Sequence, residues 1–295
     1  MLDYDNYMKY VTDKVRNLSP AQRDELHVTA GEVTNLDGAK RRKKPWPSRS
    51  AETTKVRYCF ALFALKTKVG GSRTKDINKF LVQVYVNKII LGHCSNILRE
   101  YGILSDRSWY LITEYPEYGN LCEFLKNEKN ASLLSWEWKT RQACNIAQAL
   151  SFCHSRNILH QDVRSPNVVI NQFMTAKLTN FGFQTIIHDN KCVYEEGNQK
   201  IRWLAPEKLK DNRVPYSRET DVYSFGMLLW EISAHKIPYE DVLDPSKVKK
   251  RVEDEQRPEI NPDTPSEFAK IMTSCWKQNP HDRPKMETVW ERLGS

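Results

Sequence analysis

The sequence predicts an α+β chain in which strands come early and helices fill the remainder. Two observations carry this. Between residues 55 and 69, Val56, Tyr58, Phe60, Leu62, Ala64 and Val69 stand among further aromatics in the pattern of one or two strands with a turn. Beyond residue 119 the apolar period becomes 3.6: Leu134 to Cys153 and Glu219 to Ala234 each carry one stripe, the latter opened by Ser217 as N-cap. Strands in one run and helices in another belong to the α+β class.

The other elements follow in order. Leu2, Tyr4, Tyr7, Met8, Val11, Val15 and Leu18 recur at three- and four-residue steps and predict an amphipathic helix over 2–18. Ser19-Pro20-Ala21-Gln22 offers a capping serine, a proline at the first helical position and a glutamine that reaches back, so a second, short helix follows. A polar linker runs to about residue 50. Residues 76–92 suit a helix through Phe80, Leu81, Val84, Ile89, Ile90 and Leu91, and a strand through Val82, Val84, Tyr85 and Val86; a helix is expected. No internal repeat is visible. The expected division is a helical, basic extension at 1–50 and one domain at 51–293, its sheet-bearing part at 51–115 and its helical part at 119–293.

Composition excludes several classes. The 295 residues are 40% hydrophobic and 28% charged, with 8 Trp, 13 Tyr and 10 Phe, enough to build a core without disulfides or metals. Seven cysteines, an odd number with no C-x-x-C pair, read as reduced, mostly buried thiols. Asp3 and Asp5 precede any apolar run, and the longest uncharged apolar stretch, Tyr58 to Leu65, has eight residues. The expectation is a cytoplasmic protein with no membrane span, or a nuclear one if the basic run 40–44 acts as an import signal. Net charge is +8, yet residues 113–295 hold 25 basic against 26 acidic residues. The excess is N-terminal and peaks at Lys40-Arg41-Arg42-Lys43-Lys44, a solvated linker or a peripheral contact for an anionic surface. No nucleic-acid partner is expected.

An ordered motif series carries the chemistry. His160-Gln161-Asp162-Val163-Arg164-Ser165-Pro166-Asn167 runs into Val168-Val169-Ile170; Asn180-Phe181-Gly182 begins eighteen residues after Asp162; Trp203-Leu204-Ala205-Pro206-Glu207 follows. Phe63-Ala64-Leu65-Lys66, Tyr110-Leu111-Ile112-Thr113-Glu114-Tyr115, Asp221-Val222-Tyr223-Ser224-Phe225-Gly226 and His281-Asp282-Arg283-Pro284 complete it. The series resembles the signature set of the protein kinase superfamily, and its ending is similar to the tyrosine-kinase-like group. The resemblance covers about 51–293. It implies a small antiparallel-sheet lobe with one helix, a larger helical lobe, and ATP as cofactor. It further implies a Glu207–Arg283 pair, Asp221 as tether of the catalytic loop, and His160 stacked on Phe181.

Residue by residue, the resemblance makes Asp162 the base and Asn167 and Asn180 the metal-side positions. Lys66 becomes the phosphate lysine, while Ala64, Thr113, Glu114, Tyr115 and Val169 line an adenine pocket. Plain hydrophobic core explains the lining equally well. Asp162 and Asn167 also suit a purely local role, bonding backbone as turn-formers.

Four working parts depart from the pattern. No glycine stands between Gly38 and Gly70, so the stretch at 45–57 has no glycine-rich phosphate lid. From Thr53 to Arg99 the sole acidic residue is Asp76, and Gln83 or Tyr85 stands where the helix should present a glutamate to Lys66. Asn180 replaces an anionic magnesium ligand with a neutral amide; a loss of ~4 kcal/mol of transition-state stabilisation there costs about a thousandfold in rate. Gln161 replaces the arginine that anchors a phosphorylated activation loop. No metal site is expected, and magnesium is expected to bind weakly or not at all.

The leading expectation is therefore a degenerate kinase, a pseudokinase acting as signalling scaffold or allosteric regulator of a protein partner, itself a kinase or another signalling protein. The alternative is a weakly active or atypical Ser/Thr or Tyr kinase using Lys66, Asp162 and Asn167. A third reading makes the N-terminal arm an effector, as in the mixed-lineage kinase domain-like proteins, although some 45 residues are too few for their four-helix bundle. Thr185 and Tyr194 stand in the segment between Asn180 and Glu207, where modification is an open question.

Overall fold

The structure is a computed structural model, and it describes residues 51–58, 61–68, 85–106, 108–181 and 199–295. The expected helices within 1–50, the run Lys40–Lys44, Gln83, Thr185 and Tyr194 lie outside the described residues. Two compact units emerge: one up to Gly119 together with Ile170–Met174, the other comprising Asn120–Val169 and Thr175–Ser295.

In the first unit, β1 (Ala51–Tyr58), β2 (Ala61–Lys68), β3 (Glu100–Asp106) and β4 (Ser108–Glu114) form an antiparallel sheet in the order β1-β2-β4-β3. The 55–69 stretch is thus two strands, paired from Ala51↔Lys68 to Tyr58↔Ala61. The register of β2 on β4 sets Ala64 opposite Thr113 and Lys66 opposite Leu111. On the other side of β4, Glu100 lies opposite Thr113, just before a register shift at Glu100/Gly102. The described part of the 76–92 stretch is helical but wider than expected, with Val86–Leu91 winding as a π-helix. Val86 and Leu91 are fully buried, and the Asn87 side-chain oxygen accepts the Glu100 N–H at 3.3 Å, tying this turn to β3.

The second unit is mainly helical. It contains α1 (Leu121–Lys126), α2 (Trp136–Ser155), α3 (Pro206–Lys210), α4 (Arg218–Ala234), α5 (Pro245–Glu253), α6 (Ser266–Cys275) and α7 (Met286–Gly294). The short strands β5 (Val168–Ile170) and β6 (Ala176–Leu178) are sheet neighbours. Helix α2 begins two residues later than its apolar pattern suggests, because the Ser135 hydroxyl accepts the Trp138 N–H and fixes the start there. Ser217 caps α4 as expected, and Thr220 returns the bond in a capping box.

Helix α4 corrects one expectation. It is not amphipathic with a single stripe but buried on nearly every side, with Val222, Tyr223, Phe225, Met227, Leu228, Leu229 and Ile232 at most 2% exposed. A helix apolar all round belongs inside the core, and α2, α6 and the loops pack around it. Gly226 permits the closest of these approaches: a β-carbon there would stand 2.9 Å from the Cys275 β-carbon and 3.0 Å from the Trp276 nitrogen. The cysteines are corrected too. Of the described ones, Cys153 and Cys275 are buried, while Cys94, Cys122 and Cys144 are half-buried; all five are reduced.

One buried cation has an unusual anchor. Arg202 lies in the turn Gln199–Trp203 and donates to the carbonyls of Pro238 (3.0 Å), Val242 (2.8 Å) and Tyr239.

Candidate functional site

The loop His160–Asn167 leaves α2 and runs into β5, and two buried carboxylates on α4 hold it. Asp221, in the first turn of α4, accepts the His160 N–H at its Oδ2 and the Gln161 N–H at its Oδ1, both at 2.8 Å. His154 Nε2 lies 3.0 Å from the same Oδ2. Gln161 adopts a left-handed backbone (φ 67°) that these bonds stabilise. Nearly three turns further on, Glu231 accepts Ser165 N–H (3.2 Å), Ser165 O–H (2.5 Å) and Trp203 Nε1–H (2.7 Å). Burial pushes the Glu231 carboxyl up to about 7 despite these donors and Arg164.

His160 has the packing role implied by the resemblance. Its ring lies 4.6 Å from that of Phe181, its Nε2 is 3.0 Å from the Thr179 carbonyl, and its Nδ1 accepts the Asp162 N–H at 3.2 Å. That pattern requires a neutral ring with the proton on Nε2, and burial lowers its pKa accordingly. The Glu207–Arg283 pair also forms, with two parallel bonds of 2.7 and 2.8 Å.

Both carboxylate oxygens of Asp162 have partners. Arg164 Nε donates to its Oδ1 at 3.0 Å, and Lys200 Nζ stands 3.6 Å from that same oxygen. Asn167 Nδ2 donates both to its Oδ2 and to its carbonyl oxygen, each at 2.8 Å. Burial alone would raise the Asp162 pKa, but Lys200 and Arg164 outweigh it and hold the carboxyl below the usual range. The Asn167 side-chain oxygen in turn accepts Asn180 Nδ2–H at 3.1 Å, with Asn180 in a left-handed backbone (φ 60°) that asparagine tolerates.

This donor set does not fit a magnesium ion. Two neutral amides bonded to each other and one carboxylate already facing two cations supply little of the fixed negative charge a hard divalent ion needs. Among the described residues no group of three or more His, Cys, Asp or Glu is placed to hold a metal.

The remaining predicted residues lie in the first unit, except Val169, which is buried in β5 of the second. Ala64 and Lys66 stand on β2 and Thr113 on β4 by the register above. Thr113 is buried, and its hydroxyl donates to the Glu114 carbonyl at 3.0 Å. Glu114 turns to Arg99: its N–H donates to the Arg99 carbonyl at 3.0 Å, and its Oε2 accepts the Arg99 N–H at 3.3 Å. Burial raises the pKa of the half-buried Tyr115 phenol. Beyond it the backbone is poor in donors for a base edge. Pro116 has no N–H, the Tyr118 N–H is spent on the Ile170 carbonyl, and the Gly119 N–H on the Pro116 carbonyl.

The sequence reading missed three residues. Glu100 follows directly on the Thr53–Arg99 stretch whose sole acid is Asp76, yet it is buried (3% exposed) and shares the register position of Thr113 and Ala64 across the sheet. Glu231 carries no motif signal and is found only by its partners. Lys200 is recognisable only as one charge among many.

A profile of the family described as protein tyrosine and serine/threonine kinase matches residues 52–293. The chain is 33% identical over 180 residues to the serine/threonine/tyrosine-protein kinase HT1 of Arabidopsis thaliana, covering 61% of this chain and 45% of that protein. It is 30% identical over 236 residues to the tyrosine-protein kinase FRK of Homo sapiens, covering 78% of this chain and 45% of that protein. The chain thus spans under half the length of either relative. With the motif series seated on the expected elements, the chain belongs to the protein tyrosine and serine/threonine kinase family.

Proposed function

We propose that this chain is a pseudokinase: a signalling scaffold or allosteric regulator on a kinase fold, able to take ATP but inefficient in transferring its phosphoryl group. The hydrogen bond from Asn180 to Asn167, at 3.1 Å, carries this reading. Phosphoryl transfer depends on metal ions that neutralise the phosphates in front of the base. Here the two side chains in those positions satisfy each other and contribute no charge. The absent glycine lid and the donor-poor stretch after Tyr115 weaken nucleotide binding in the same direction. Its partner is a protein, a kinase or another signalling component, and the tyrosine-kinase-like group is its place within the superfamily. A cytoplasmic or nuclear setting and a membrane-peripheral role for Lys40–Lys44 belong to the same proposal; among the described residues no helix is long and apolar enough to cross a membrane.

One observation favours the alternative, a weakly active kinase using Lys66, Asp162 and Asn167. Glu100 supplies a buried carboxylate on the sheet that carries Lys66, so the sheet is not without an acid. The deciding experiment follows thermal unfolding with ATP, with and without Mg²⁺ or Mn²⁺, since a ligand at 100 times its dissociation constant adds about 2.7 kcal/mol. The expected shift is small and indifferent to metal. Radiolabelled phosphate transfer that Asp162→Ala abolishes would overturn the proposal.

A further inference from the structure

Asp162 is the carboxylate at the base position of the motif series, and the structure shows which of the described residues face it. A base must present a carboxylate oxygen within about 3 Å of the proton it takes. Oδ2 is committed to Asn167 at 2.8 Å. Oδ1 receives Arg164 at 3.0 Å and Lys200 at 3.6 Å. Lys200 and Asp162 are each about one-fifth exposed, so the pair is reached by solvent. Lys200 does not reach there by chance flexibility. Its backbone belongs to the helical turn Gln199–Trp203, which Arg202 pins to the carbonyls of Pro238 and Val242 and which Trp203 pins to Glu231. Its ammonium also lies against the Tyr216 ring, 5.6 Å from the centroid, a second contact holding it on this side of the loop.

We propose that Lys200 is an intramolecular occupant of the acceptor position, its ammonium taking the place beside Asp162 Oδ1 that a substrate hydroxyl would need. The inference rests on the pseudokinase reading and specifies it. The missing metal charge would slow transfer of a phosphoryl group already in place, whereas Lys200 keeps the acceptor from arriving. Serine, threonine and tyrosine hydroxyls are all excluded, because each needs the same oxygen. A neutral hydroxyl must displace an ammonium that attracts the carboxylate by its full charge across 3.6 Å, and it loses that exchange.

The test reads the ion pair directly. Full-length protein is treated with a limiting amine-acylating reagent at neutral pH, and the labelling rate of Lys200 is followed by peptide mass spectrometry against exposed Lys277. In Asp162→Asn, Lys200 is expected to react about threefold faster, the range for a partly exposed pair, with Lys277 unchanged. Asp162→Glu should restore most of the protection. Equal Lys200 rates in wild type and Asp162→Asn overturn the proposal, and they do so whether or not the protein transfers phosphate. Transfer assays separate the two ideas. Should wild type transfer phosphate in an Asp162-dependent way, the pseudokinase reading falls, and Lys200→Met must then lower the acceptor KM; a raised KM would show that Lys200 assists the acceptor and would sink the occupant role.

Discussion

Arg283 closes a two-pronged ion pair on Glu207, with N–O distances of 2.7 and 2.8 Å, while also donating to the carbonyls of Lys277, Gln278 and Glu219. The arginine side chain is fully enclosed, whereas the glutamate is about one-fifth exposed. One short helix and the tail of the second unit are thereby fixed to each other.

Removing the enclosed arginine leaves the largely covered Glu207 carboxylate without its cation and three carbonyls without their donor. Arg283→Met should cost about 3–5 kcal/mol of unfolding free energy, the range for removing one partner of a buried pair. Arg283→Lys should recover only part of this, because one ammonium cannot make two parallel bonds. Urea titration of the three proteins checks the order; equal midpoints would contradict it.

Glu231 predicts a pH dependence with a definite sign. Its folded pKa, about 7, lies above the 4.5 of the unfolded chain. Its contribution to stability is therefore fully present below about pH 4.5 and is lost as pH rises through 7. The difference amounts to on the order of 3 kcal/mol. Glu231→Gln should flatten the stability profile between pH 5 and 8, as read from denaturant midpoints at each pH. A profile as steep as that of wild type would mean that another group titrates.

Glu100 and Lys66 can be tested by a double-mutant cycle. Lys66 stands two residues along β2 from Ala64, and Ala64, Thr113 and Glu100 are aligned across three strands. If Lys66 is the cation that serves buried Glu100, Lys66→Met costs at least about 1 kcal/mol more in wild type than in a Glu100→Gln background, since removing one partner of a buried pair leaves the other uncompensated. Strict additivity would show that the two are independent.

Gly226→Ala should destabilise by about 1–3 kcal/mol through overpacking. Backbone and β-carbon atoms of Cys275 and Trp276, not flexible side-chain ends, stand in the way. A lowered melting temperature with an unchanged far-ultraviolet spectrum is the expected result.

Much of this architecture was legible in the sequence. Strand structure in 55–69, the cap at Ser217 and the Glu207–Arg283 pair follow from periodicity, local hydrogen-bond chemistry or motif resemblance, and all three are present, the strand pattern left open between one and two resolving as two. Legibility failed where tertiary context decides. Helix α4 reads as striped yet is buried nearly all round, because α6 closes over the face that Gly226 leaves bare. Asn180 reads as a lost ligand; that its amide also satisfies Asn167 depends on a left-handed backbone that no spacing reveals. Glu100 is not legible as a site residue because it opens β3 rather than the 76–92 helix, and only the cross-strand register sets it opposite Thr113.

Arg202 has a consequence for the conditions under which this platform persists. Its charge is met by the oxygens of Pro238, Tyr239 and Val242, peptide dipoles that neither titrate nor exchange their partner for a dissolved ion. Concentrated electrolyte that weakens the exposed Lys126–Glu240 and Arg251–Asp241 bridges should leave this anchorage in place. The segment bearing Lys200 should thus keep its seat in brine and in mild acid alike.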